Sequence, residues 1–180
     1  HNVLRMKLRL FIVNILLQIS LANYAQKGEY HLTHYHPDKE IENENFAAVQ
    51  DEYGQMQFAN TKGILKFDGR YWLLNKTPST VLSLASDKKT GIIYVGCLDD
   101  FGYVSKDESG NEIYNSIQRS EDKLISISKI VNTDQYVYFQ GINVLFQYSK
   151  NKNKITKQWG NSKDWDFEIF KCKDELYISD

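Results

Sequence analysis

The chain repeats itself, and that limits its folds more than any other feature. Four short stretches look alike: Gln55-Met56-Gln57-Phe58-Ala59, Ile92-Ile93-Tyr94-Val95-Gly96, Tyr136-Val137-Tyr138-Phe139-Gln140 and Glu175-Leu176-Tyr177-Ile178-Ser179. Aligned on Phe58, Val95, Phe139 and Ile178, they recur at steps of 37, 44 and 39 residues. A period near 40 residues matches one four-stranded propeller blade. Such a unit cannot bury both faces alone and must stack on its neighbours.

The rest of each unit fits the same plan. An apolar strand opens it, at Phe46–Val49, Val81–Ala85 and Ile125–Ile130. A turn follows, at Asp51-Glu52-Tyr53-Gly54 and Asp87-Lys88-Lys89-Thr90-Gly91, where Asp bonds nearby backbone and Gly accepts positive φ. Asn132-Thr133-Asp134 takes that place in the third unit without Gly. The aromatic stretch comes next. Third strands are expected at Ile64–Asp68, Phe101–Ser105 and Val144–Tyr148, and fourth strands at Arg70–Leu74, Glu112–Ser116 and Lys154–Trp159. Lys66 between Leu65 and Phe67, and Ser83 between Leu82 and Leu84, give the period of two of a half-buried strand.

The expected class is therefore all-β. It is a partial propeller of about three and a half four-stranded antiparallel blades, near 46–75, 81–117, 124–159 and 167–180. A closed ring needs about four to eight blades, so the chain reads as the N-terminal part of a longer protein, closed by residues beyond Asp180. Residues 26–45 form a lead-in segment and a candidate ring-closing strand.

Residues 1–25 differ from the rest. Arg5, Lys7 and Arg9 precede an apolar run from Leu10 to Leu21, followed by Ala22-Asn23-Tyr24-Ala25. A basic start, a short apolar stretch and a small-x-small end describe a secretory signal peptide cut between Ala25 and Gln26. Met6 is the natural start, with His1–Arg5 as upstream residues. The run of 12 residues is short for a bilayer, which needs about 20. Without Arg5, Lys7 and Arg9 the chain keeps 19 basic against 23 acidic residues, a poor charge balance for contact with nucleic acid.

The first unit reads Val49-Gln50-Asp51-x-x-Gly54-x-Met56-x-Phe58-Ala59-Asn60-x-x-Gly63-Ile64-Leu65-x-Phe67-Asp68-Gly69-x-x-Trp72. This closely resembles the first blade of two-component-regulator propellers, the extracytoplasmic sensor domains of Bacteroidetes-type signalling receptors. Ile93-Tyr94-Val95-Gly96-x-x-x-Asp100-Phe101-Gly102-Tyr103 continues the likeness, which covers about residues 30–180 and is looser in the last two units. The resemblance implies an exported sensor followed, outside this chain, by a triple-tyrosine domain and one membrane helix. A histidine kinase, helix-turn-helix or other output would come last. It implies an extracellular ligand, with glycan fragments one candidate class, and a homodimer when full length. It places no catalytic residue on this chain.

Other chemistry was weighed residue by residue. His31-x-x-His34-x-His36 is the one metal-like cluster. On a strand His31 falls opposite His34 and His36, so a structural strand is the better reading and no metal is assigned. Cys97 and Cys172 read as two independent buried thiols, although export permits a disulfide. Asp51-Glu52, Asp99-Asp100, Asp107-Glu108 and Glu121-Asp122 read as solvated turns rather than acid–base pairs. Trp72 and Trp159 read as plugs between blades, Trp165 as a further candidate for stacking on a sugar, and Ser149–Lys157 as a hairpin tip. No catalytic, cofactor or metal residue is predicted, and ligand contacts are left to unnamed loops. The expected role is the extracytoplasmic, non-catalytic sensing segment of a membrane receptor, on the periplasmic side of the inner membrane. The alternatives are a secreted propeller lyase or glycosidase, or an adhesive module.

Overall fold

The computed structural model describes residues 2–21, 33–37, 41, 42, 44–117, 125–160 and 167–179. It divides into two units, residues 1–36 and 37–180. In the first, α1 spans Asn2–Leu21, a stretch free of Gly and Pro and rich in Leu, a good helix former. No described helix is long and apolar enough to cross a membrane. Ala25 and Gln26, the expected cleavage site, lie outside the described residues.

The second unit is all-β. Its strands are β1 (Asn45–Gln50), β2 (Met56–Asn60), β3 (Gly63–Phe67), β4 (Trp72–Lys76), β5 (Val81–Asp87), β6 (Ile92–Cys97) and β7 (Phe101–Lys106). They continue with β8 (Glu112–Ser116), β9 (Ile127–Asn132), β10 (Tyr136–Gly141), β11 (Val144–Ser149), β12 (Lys154–Gly160), β13 (Glu168–Cys172) and β14 (Glu175–Ser179). Three antiparallel meanders, β1–β4 (sheet 1), β5–β8 (sheet 2) and β9–β12 (sheet 3), are followed by the β13–β14 hairpin (sheet 4). The leading strands β1, β5, β9 and β13 lie beside one another in that order. This is the fan of a partial propeller, with three full blades and two strands of a fourth.

The fan follows from the period-two pattern. Ile93 and Val95 of β6 face sheet 1, in a core with Ala59, Ile64, Val81 and Val104. The alternate residues Ile92 and Tyr94 face sheet 3, in a core with Phe101, Phe139 and Phe146. The Phe101 ring lies tilted at 4.9 Å from Phe139 and stacks at 5.0 Å on Phe146. A third core joins Val131 and Leu145 to Phe167 and Ile169. Each inner sheet thus divides its side chains between two gaps.

The turns explain where strand limits depart from expectation. The Asp68 carboxylate accepts the N–H groups of Arg70 and Tyr71, both at 2.7 Å, so β4 starts at Trp72 instead of Arg70. The third unit's leading strand starts at Ile127 and runs to Asn132, two residues later than expected. In its turn Thr133, not Asp134, takes the Asp role: its hydroxyl accepts the Tyr136 N–H at 3.2 Å. Residues 33–37, 41, 42 and 44 of the lead-in are not strand. Buried Asn60 holds the end of that segment, donating to the carbonyls of Glu42 and Glu44 at 2.7 and 3.0 Å.

Candidate functional site

Among the acidic residues flagged in the sequence, Asp51, Asp100 and Asp107 anchor nearby backbone and side chains. Asp51 accepts the N–H groups of Tyr53 and Gln55 at 2.9 Å and the Gln57 amide at 3.1 Å. Asp100 accepts the Phe101 N–H at 2.7 Å, the Ser116 hydroxyl at 2.8 Å and the Tyr114 hydroxyl at 3.1 Å. Asp107 accepts the N–H groups of Asn111 and Ser109, which hold its carboxyl below the ordinary value. Glu121 and Asp122 lie outside the described residues.

The remaining candidates separate. His34 and His36 stack with ring centroids 6.3 Å apart, while His31 lies outside the described residues. No group of three metal-binding side chains occurs among the described residues. Both cysteines are free. Cys97 is buried as expected, and burial pushes its thiol up to about 12, so it stays protonated. Cys172 is exposed, against expectation, because it ends β13, where Phe170, Lys171 and Cys172 are all exposed in the outermost hairpin. Trp72 packs on Phe67 and Phe58 of its own sheet, at 4.5 and 5.8 Å, on the face turned away from sheet 2. Trp159 does line the groove between sheets 3 and 4, beside Tyr138 and Tyr177. Trp165 lies outside the described residues. Lys150, in the hairpin tip, reaches across to Asp87 at 2.7 Å.

The fold opens a cleft of about 510 Å³ between sheets 1 and 2. Tyr71, Leu73 and Asn75 alternate along one face of β4 and its approach, and Lys66 is the β3 residue paired with Leu73. Gly110, Asn111 and Glu112, from the β7–β8 turn and the start of β8, form the facing wall; Gln55 and Asp68 complete the lining. Glu112 crosses the gap. One oxygen takes the Lys66 ammonium and the other the Asn75 amide N–H. Tyr71 is 61% exposed and Leu73 60%, although both sit at an outer sheet edge. The floor is thus an aromatic ring and an aliphatic side chain, ringed by amides and carboxylates. That arrangement can hold a small amphipathic ligand.

Sequence reasoning did not assemble this cleft. Its signals were Tyr71 and Leu73 at alternate positions of an outermost strand, and a charge, Lys66, inside an apolar one.

No family model matches the chain, and no curated protein matches it. Solved structures do. Two describe the extracellular domain of one system from B. thetaiotaomicron, called in one a putative one component system and in the other a putative hybrid two component system. They share 15% and 14% identity with this chain, at TM-scores of 0.56 and 0.59, covering 74% and 81% of it. The extracellular domain of a second putative hybrid two component system from B. thetaiotaomicron gives 16% identity and a TM-score of 0.59 over 76% of the chain. The fold is shared with the extracellular domains of two-component systems. The likeness read from the first two units therefore holds at the level of the fold. The chain spans 19%, 20% and 22% of the lengths of those three structures.

Proposed function

We propose that this chain is the ligand-sensing part of an exported receptor and performs no catalysis itself. The observation that carries the reading is the fan of meander sheets, the fold of extracellular domains of two-component systems. The leader-like residues 1–25 support export to the periplasmic side of the inner membrane. Attachment to that membrane, the output module and a homodimeric state belong to the full-length receptor in this reading. The balance of acidic and basic residues favours a small ligand, such as a glycan fragment, over nucleic acid. The secreted-enzyme alternative is less favoured, since Asp51, Asp100 and Asp107 are engaged by backbone and hydroxyl donors.

A ligand of the folded state stabilises it by about 2.7 kcal/mol at a hundredfold excess over Kd. Thermal melting of the protein against a panel of oligosaccharides, peptides and nucleotides should therefore reveal at least one compound that raises the midpoint. A panel in which every midpoint stays put would sink the sensing role.

A further inference from the structure

We infer that the outer edge of β4 pairs with the same edge of a second copy of this chain, in an antiparallel register centred on Trp72. This rests on the homodimeric receptor proposed above and gives that dimer an interface. β4, β8 and β12 are the outermost strands of sheets 1, 2 and 3, and no described strand pairs with their outer edges. Natural proteins usually guard such edges with charge. β12 exposes Lys154 and Lys157, and β8 opens on Glu112 and exposes one large apolar side chain, Ile113. On β4, Trp72-Leu73-Leu74-Asn75 carries no charge, and Tyr71 and Leu73 are exposed.

The backbone limits the register. The Tyr71 carbonyl accepts the Asp68 N–H at 3.3 Å, and the Asn75 carbonyl lies against Gly63, so both turn inward to β3 and its turn. Backbone groups alternate along a strand, which turns those of Trp72, Leu74 and Lys76 outward. Outward residues must pair with outward residues, so Trp72 can face Trp72, Leu74 or Lys76 of the second copy. Charge and overlap choose among these. With Trp72 opposite Leu74, Arg70 falls opposite Lys76 and like charges meet. With Trp72 opposite Lys76, Tyr71 passes beyond the end of the second strand. With Trp72 opposite Trp72, Tyr71 lies opposite Leu73, and exposed Lys76 reaches exposed Asp68. The Tyr71 and Arg70 N–H groups hold the Asp68 carboxyl below its ordinary value, so it is charged at neutral pH. Each of these contacts occurs twice about the two-fold axis. Centred on Tyr114, β8 would set Glu112 against Ser116, and β12 holds no acid to meet its lysines. Of the three edges, β4 alone complements itself in charge.

Sedimentation equilibrium of the protein over a range of concentrations tests this. The parent should dimerise reversibly. Leu73→Lys, a charge placed opposite Tyr71, should raise the dimer dissociation constant about tenfold. Lys76→Glu should also weaken the dimer, and adding Asp68→Asn, which keeps an acceptor for the turn, should recover part of that loss. Leu73→Lys and Lys76→Glu should melt near the parent, because both side chains are exposed, which separates lost pairing from misfolding. Tyr71→Cys and Leu73→Cys chains, both also carrying Cys172→Ser, should form a mixed disulfide on oxidation faster than either forms one with itself; buried Cys97 stays out of the exchange. A faster self-link of Leu73→Cys would overturn the inference, since it requires Leu73 opposite Leu73. A parent that stays monomeric, or a dimer indifferent to Leu73→Lys and Lys76→Glu, would overturn it as well. In either case a ligand that still raises the melting midpoint would leave the sensing role standing.

Discussion

At the scale of single residues, the Asp87–Lys150 pair joins sheets 2 and 3 through charge. Asp87 is 4% exposed, and its Oδ2 meets the Lys150 ammonium at 2.7 Å. Burial alone would raise the Asp87 carboxyl. The Lys150 hydrogen bond, the Lys89 N–H and the Lys150 charge together bring it below its ordinary value. A carboxyl lowered by folding adds stability above its unfolded value, about 3.9, and loses it as pH falls through the folded value. The protein should therefore melt progressively earlier below about pH 4. Lys150→Met leaves a buried carboxylate unpaired and should destabilise by about 3 kcal/mol at pH 7. With burial then dominant, the variant should gain stability as pH falls from 7 towards 5. Calorimetric melting from pH 3 to 8 checks both slopes. Parallel curves for the two proteins would show that the pair does not set them.

At the scale of elements, the third and fourth strands of the first two sheets approach too closely at one position for a side chain. A Cβ on Gly63 would lie 2.2 Å from the Asn75 carbonyl oxygen, and one on Gly102 would lie 2.1 Å from that of Asn115. The two glycines occupy matching places, paired with Lys76 and Ser116 at the ends of their neighbours. Backbone cannot step aside as a flexible side chain can, so Gly102→Ala should destabilise by about 2 kcal/mol. Urea unfolding checks this; a midpoint within error of the parent would show that β8 yields. Both glycines lie in the stretches that carry the family resemblance, and the period near 40 is likewise legible in the sequence. Other features left weaker marks. Nothing local tells that Thr133 rather than Asp134 closes its turn, since both side chains can accept a backbone N–H. The cleft escaped altogether. Lys66 and Glu112 are 46 residues apart, and only the stacking of sheets brings them together.

At the scale of the whole molecule, stability should follow the stacking, because each sheet is held by its neighbours. Sheets 2 and 3 are covered on both faces, by the cores each shares with the sheet before and the sheet after. Val95, Val137 and Phe139 are fully buried there. Sheet 1 leaves Phe46 exposed on β1, and β14 exposes Tyr177 and Ile178. A local opening of β14 disturbs one core, whereas opening β6 or β10 disturbs a gap filled by three phenylalanines. Amide exchange should therefore be slowest in β6 and β10, intermediate in β2 and fastest in β14. Phe139→Ala, which empties the centre of the gap between sheets 2 and 3, should cost about 3–5 kcal/mol. It should raise exchange in β6 and β10 together, since both face that gap, while changing β14 less. Exchange rising equally in all fourteen strands would mean that the sheets open as one unit, and that nearest-neighbour stacking does not govern the stability of the fan.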